Sequence, residues 1–308
     1  MEKSMNNKIK IIIAVGIIGI LIMVAGFVMG SGPSSIPAIF SGQNLPTGAT
    51  NIKDVSSSDI RSIELNLFSS KISIKSGENF DLSGSGQFDG YVLNGVLYAG
   101  ATEAKRTANV LGMKFNVPSK WICGYGSYVL VIPPDAKLDE ITINTNHCDI
   151  TCDSLIASKI NINVNHGDLK VNQLTADNAA ISVDGTLEAA SSQIAMSGNI
   201  SAKQRLTLGT AGAAKDNTMN NTTISNKRGG ITLYAKLTGN ASVQTSRGNL
   251  EAVLYGSHTN YTLPAATANL LIHDSTIQED NTKDNSTELF GTVGVDVSKG
   301  NASISFEQ

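Results

Sequence analysis

From Ile60 to Gly86 apolar and polar residues alternate with a period of two: Ile63, Leu65 and Leu67, then Ile72 and Ile74, then Phe80 and Leu82. Gly and Asn interrupt the alternation, which predicts short strands joined by tight turns. The stretches "GYVLNGVLYAG" and "SYVLVIPPDAKLDEITI" continue it, and Pro133-Pro134-Asp135 marks a turn between a strand ending at Ile132 and one containing Ile141 and Ile143. Beyond that turn a second, longer period appears. Ile141, Ile143, Ile150 and Leu155 recur as Ile160, Ile162, Leu169 and Leu174, each displaced by nineteen. A third copy, Ile181 to Leu187, lacks one residue, and a shorter fourth runs from Met196 to Ile200. "ISNKRGGITL" from Ile224 and "VQTSRGNLEA" from Val243 are again nineteen apart, and "VDVSKGNASI" from Val295 closes the chain in the same order.

A coil of about twenty residues buries too few side chains to offset the entropy of ordering it, so each must lie on a neighbour. The expected fold is all-β: a parallel β-solenoid, or β-helix, with coils of about nineteen residues. Equivalent side chains then sit about 4.8 Å apart, with Ile150 on Leu169 and Cys152 on Val171. Gly209–Thr222 and Asp274–Glu288, which break the period, are read as loops between coils.

Ile11–Gly30 is a run of twenty residues without a charge, and at about 1.5 Å per residue a helix of that length spans a bilayer core of about 30 Å. A cleaved signal peptide is the rival reading, but its apolar region is ordinarily about 7 to 15 residues, and no clear small-residue cleavage site follows. Lys3, Lys8 and Lys10 precede the span against one Glu, and no charge follows before Lys53. This asymmetry predicts a cytoplasmic N-terminus. The expected organisation is a cytoplasmic tail at 1–10, a transmembrane helix at 11–30, a flexible Ser-, Gly- and Pro-rich linker at 31–58 and an extracytoplasmic domain at 59–308. Within that domain, 59–135 supplies N-terminal strands and 136–308 the regular coils.

Glu2 against three lysines gives the first ten residues +2, leaving −5 for the remainder of a chain whose net charge is −3. That balance offers no basic domain for nucleic acid. The low aromatic content, 5%, with 29 Gly and 7 Pro, suits strands and turns rather than helices.

The corner between coils repeats as Asn-His-(Cys/Gly)-Asp, then Asp-Gly, Ser-Gly-Asn, Lys-Arg-Gly-Gly, Ser-Arg-Gly-Asn and Ser-Lys-Gly-Asn. Gly persists, usually beside Asn or Asp, whereas His does not; the persistent need is for positive φ and for side chains that hydrogen-bond along the stack. Stacking His147 and Asp149 on His166 and Asp168 could still bring two imidazoles and two carboxylates to one divalent ion. No second shell for such an ion is visible, so no metal and no cofactor is expected.

Of the three cysteines, Cys152 occupies an inward slot. Cys148 replaces a corner Gly and is expected to be exposed, which makes Cys123 with Cys148 the candidate disulfide; Cys148 and Cys152 would lie about 13 Å apart in an extended strand, beyond bridging distance. No G-x-S-x-G, H-E-x-x-H or phosphate-binding loop occurs. The nearest analogue of a polysaccharide-cleaving carboxylate pair is Asp149 with Asp168, without a third acid or sugar-stacking aromatics.

"SIELNLFSSKISIKSGENFDLSGSG", then "YVLVIPPDAKLDEITINTNHCDITCDSL" and the Gly-Asp/Asn-apolar corners, together behind an apolar N-terminal span, resemble the bacterial "putative adhesin" domain family, a domain of unknown function, similar to LiaG-like membrane-anchored cell-envelope proteins. The likeness runs from about Asp59 to Gln308, and His147-Cys148 departs from it where Gly is usual. It implies a parallel β-solenoid on the outer face of a bacterial membrane, without catalytic residues. The function expected from the residues and the resemblance together is a non-catalytic adhesion, interaction or structural module of the cell envelope, accessory to envelope-stress signalling in one variant. Its partners would be the membrane and an envelope glycan or protein. A carbohydrate-active β-helix enzyme is the alternative.

Overall fold

The computed structural model describes residues 50–51, 59–68, 70–84, 90–100, 105–110, 113–118, 126–263, 270–273 and 288–307. The tail, the apolar span Ile11–Gly30, most of the linker and Cys123 lie outside them. The described residues form an all-β protein with two short 3-10 turns, Ala214–Asp216 and His258–Asn260, set among its strands. No helix among them is long and apolar enough to cross a membrane.

The central strands are long because each bends around corners without leaving the ladder: Asp149–Asn165, Leu169–Val183 and Leu187–Ala202. Asp149–Asn165 and Leu169–Val183 pair in parallel as Ile150 with Leu169, Cys152 with Val171, Leu155 with Leu174 and Ile162 with Ile181. Ile141 pairs with Ile160 and Ile143 with Ile162. The nineteen-residue period is therefore the pairing register itself. The pairing along Asp149–Asn165 falls into three segments, here called face I (as 150–152), face II (as 154–157) and face III (as 160–164). Alternate side chains enter the core, so Ile150, Leu155, Ile160, Leu169 and Leu174 are buried.

The shortened third copy keeps its place by a local irregularity. Leu169 pairs with Leu187, an offset of eighteen, and the register shifts between Ala176 and Asn178 so that Asn178 meets Ser197 at nineteen. The extra residue bulges out near Met196, which is exposed. Of the two segments expected as loops, Gly209–Thr222 is one only in part: Thr218–Asn220 pairs with both Gln193–Ile194 and Lys236–Thr238, and Met219 is fully buried. Asn217 anchors the turn before it, accepting a hydrogen bond from Ser192 N at 2.8 Å and donating one to Ala213 O at 2.9 Å. The second, Asp274–Glu288, lies outside the described residues apart from Glu288.

Levels follow chain order in the middle of the stack and depart from it at both ends. Ser62–Phe68 and Ser70–Ser76, expected as strands preceding the coils, form a level of their own. They pair on one side with Glu140–Asn146 and Asp149–Cys152, and on the other with Val96–Gly100 and Gly126–Ile132. Antiparallel partners, Gly90–Leu93 and Asp81–Gly84, lie beyond those. At the other end Gly291–Val297 and Ala302–Glu307 pair with Gly239–Thr245 and Leu250–Tyr255, while Tyr261–Thr262 and Leu270–His273 pair with their far side. The last strands of the chain are inserted one level inward.

Polar groups in this core stand out. Thr145 takes an inward slot between Leu67 and Val164, is 3% exposed, and its hydroxyl has no hydrogen-bond partner. A buried hydroxyl without a partner costs desolvation free energy that an isosteric apolar group does not. Thr145→Val is expected to raise stability by about 1 kcal/mol, read as a higher midpoint in urea with an unchanged slope.

Candidate binding face

The repeated corner resolves into separate structural tasks. His147 and His166 both adopt left-handed backbone, φ 57° each, a region His tolerates better than most side chains. Their rings project outward and stack with centroids 4.7 Å apart and planes 4° from parallel. Imidazole lone pairs lie in the ring plane, so two parallel stacked rings aim alongside one another rather than converging on one ion. His166 Nε2 faces Asp184 Oδ2 at 3.8 Å. Among the described residues no group of three or more His, Cys, Asp or Glu is placed to hold a metal.

Asp149 and Asp168 stand on the same exposed corner, with their carboxylates turned along the stack. Asp149 Oδ1 accepts from the backbone N–H of Asp168 at 3.1 Å, and Asp168 Oδ1 from that of Thr186 at 2.7 Å. Asn221 and Asn249 repeat the arrangement, accepting from Asn240 N at 3.0 Å and Asn301 N at 3.1 Å. The recurring Asp or Asn thus satisfies a main-chain donor that the turning ladder leaves open.

Corner glycines answer to close approach as much as to φ. Gly167 follows the left-handed His166, and a Cβ there would lie 2.1 Å from the carbonyl oxygen of Cys148. Cys148 itself is 1% exposed, which corrects the expectation that it faces solvent: the left-handed turn at His147 carries the imidazole out and leaves the next side chain inside. Its partner in the expected bridge, Cys123, lies outside the described residues. Cys152 is a buried free thiol, and desolvation pushes it far above the ordinary thiol range, so it is a core residue rather than a nucleophile.

Face III carries the polar columns. The outward position between buried Ile143 and Thr145 is Asn144; its equivalents on successive levels are Asn66, Asn163, Ser182, Ser201, Ser225 and Gln244, with Asp296 closing the column. Stacked amides bond along it, Asn144 Nδ2 donating to Asn66 Oδ1 at 3.2 Å. A shallow depression of about 270 Å³ opens on this face among Asn144, Asn161, Asn163, Ser182, Asn199 and Ser201. Its rim is anchored where Asn161 Nδ2 donates to Glu140 Oε1 at 2.7 Å and Lys159 Nζ meets the same oxygen at 2.9 Å. These contacts, Lys159 first, hold the Glu140 carboxyl below its ordinary range.

Face II carries an open groove of about 690 Å³. The column Ile156, Thr175, Gln193 and Thr218 forms its floor and the Ala136–Asp139 connection its wall. Ile156 is 39% exposed there. Neither concavity was visible in the sequence, because which outward residues become neighbours depends on level order and on the path of the 133–139 connection. The polar character of face III was visible, as Asn and Ser at alternate positions.

No family model matches the chain, and no curated protein matches it. Two solved structures are similar. A "putative adhesin" from Bacteroides fragilis has 13% identity, with 84% of this chain and 95% of that one covered and a TM-score of 0.41. A "putative cell adhesion protein" from Clostridium sporogenes has 11% identity, with 84% and 98% covered and a TM-score of 0.21.

Proposed function

We propose that this chain is a non-catalytic adhesion or interaction module of the bacterial cell envelope. In this reading the stacked levels are a β-solenoid, Ile11–Gly30 anchors it as a single transmembrane helix, and 59–308 stands outside the membrane. An accessory role in envelope-stress signalling is a variant of the same reading. The observation that carries it is the face III depression, where six uncharged amide and hydroxyl side chains surround one concavity. Amides and hydroxyls exchange hydrogen bonds with sugar hydroxyls without desolvating a charge, and their repetition from level to level suits an extended glycan.

Asn163 and Ser182 are exposed neighbours on this face, and the double variant Asn163→Tyr, Ser182→Tyr fills the depression without touching the core. The full-length chain in detergent is expected to be retained on insoluble envelope polysaccharide, and the variant to lose retention at least tenfold with its thermal midpoint unchanged. Equal retention of both would remove this face as the binding surface. Protease added to intact cells is expected to degrade 59–308; full protection of that region would overturn the placement outside the membrane.

A further inference from the structure

The corner between faces III and I changes character along the stack. At its first levels it carries the His147–His166 pair, and the next cations are matched by acids. Lys203 Nζ meets Asp184 Oδ1 at 2.5 Å and Arg205 meets Glu188 Oε1 at 3.0 Å. Asp184 is held below its ordinary range by Lys203 above all. Lys227 still acts on the Asp184 carboxylate at longer range, and from Arg228 onward the matching stops. Lys227 and Arg228 follow Lys203 by one level, since Arg228 N donates to Lys203 O at 2.7 Å. Arg247 and Lys299 take the two levels beyond, because Asn226 pairs with Thr245 and Thr245 with Val297.

Lys227, Arg228, Arg247 and Lys299 are all exposed, and none forms an ion pair within 4.0 Å among the described residues. Glu251 and Asp296, the acids closest in sequence to Arg247 and Lys299, form no ion pair with them among the described residues. Like charges on neighbouring strands, about 4.8 Å apart, destabilise a ladder. In a chain of net charge −3 this line gathers four cations that no ion pair offsets among the described residues, and their mutual repulsion costs stability.

We infer that this ridge binds an extended polyanion lying along the stack axis. The ligand chemistry is a chain bearing carboxylate or phosphodiester groups at a spacing near one or two levels. A small anion would use one level, whereas a line of single cations repeating with the backbone favours a ligand that repeats too. Arg228 and Arg247 supply planar forks that bind either oxyanion in bidentate fashion. The inference rests on the reading of the chain as a binding module but engages residues apart from the face III depression.

The test measures binding of the full-length chain in detergent to polygalacturonate, to poly(glycerol phosphate) and to neutral dextran, as a function of salt. At least one of the two polyanions is expected to bind at low salt, with affinity falling roughly tenfold or more between 50 and 200 mM NaCl; which of them binds identifies the anionic group. The triple variant Arg228→Gln, Arg247→Gln, Lys299→Gln is expected to lose at least tenfold. Lys71→Gln with Lys75→Gln, two exposed cations at the other end of the stack, should bind as the parent does. Equal binding by the triple variant, binding to phosphatidylglycerol vesicles without binding to either polymer, or no polyanion binding at all would each overturn the inference. Retention on neutral envelope polysaccharide that survives the triple variant would leave the face III reading standing without it.

Discussion

Replacing Gly248 with Ala is expected to destabilise the protein by about 3–5 kcal/mol. Two independent costs meet at this residue. Its φ of +135° lies where side-chain-bearing residues are strained, and a Cβ would sit 1.5 Å from the carbonyl oxygen of Gly229 on the adjacent level. The neighbouring atom is backbone, held by the ladder, so it cannot yield as the end of a side chain would. Gly300 bears the same relation to Gly248, at 2.0 Å from its carbonyl oxygen, and a shift that relieves one contact therefore presses on the next. Gly212 supplies the control: φ is +76° but nothing lies within 4 Å of a Cβ there, so Gly212→Ala should cost only the backbone term, about 1 kcal/mol. Denaturant midpoints of the two variants separate the contributions. Equal losses would mean that close approach of the corners has no energetic weight.

The second large effect is expected at Ile304. Its strand, Ala302–Glu307, is the inserted one, with Leu250–Tyr255 on one side and Leu270–His273 on the other. Ile304 is 1% exposed and stands between Ala252 and Ile272. Glu307 ties the same strand to the insertion turn, its Oε1 accepting from Ala214 N at 2.6 Å and its backbone oxygen from Gly256 N at 2.7 Å. Ile304→Asp buries a carboxylate without a partner and removes the packing of a large aliphatic side chain, a combined loss of about 4 kcal/mol or more. Stacked levels interact chiefly with their neighbours, so the damage should be graded. Amide exchange is expected to lose protection over 231–262 and 291–307 while 140–183 keeps it. Uniform loss along the chain would show that the stack unfolds as one unit. Ile304→Val, which keeps an apolar side chain, should cost only about 1 kcal/mol.

The corner at His147 illustrates how far residues can be read before they are placed. The chain says that Gly and Asn or Asp recur where it turns, and both are explained once neighbouring levels are stacked: the glycine admits a carbonyl oxygen, and the Asp or Asn accepts a main-chain N–H. What could not be read is which residue takes the left-handed conformation. His and Gly are adjacent in "NHGD", and the structure gives the role to His166. The same ambiguity placed Cys148 outside when it is inside, since one residue of error at a turn exchanges the two sides of a strand.

Asp149 and Asp168 offer a parallel case. As letters they are two carboxylates at one corner, equally compatible with a metal, an acid pair or a turn. Only the direction of each Oδ1 toward the next level's N–H distinguishes these, and direction is a property of χ angles and backbone path. The cationic ridge was legible only in part. Arg228, Arg247 and Lys299 recur in the repeated corners, but their continuity with Lys203 is masked by the insertion after Leu208, and Lys299 is separated from Arg247 by strands that pair on its far side.

By itself the sequence determined the all-β character, the nineteen-residue register and the inward set, because every level must place apolar side chains over those of its neighbour. A period in the chain is the direct trace of that requirement. The tertiary structure alone decided the order of levels at the two ends, the conformation of each corner and the side chains that meet across faces. Those depend on contacts between segments far apart in the chain, where ladder hydrogen bonds and close packing are equally available to several partners and only the assembled stack selects among them.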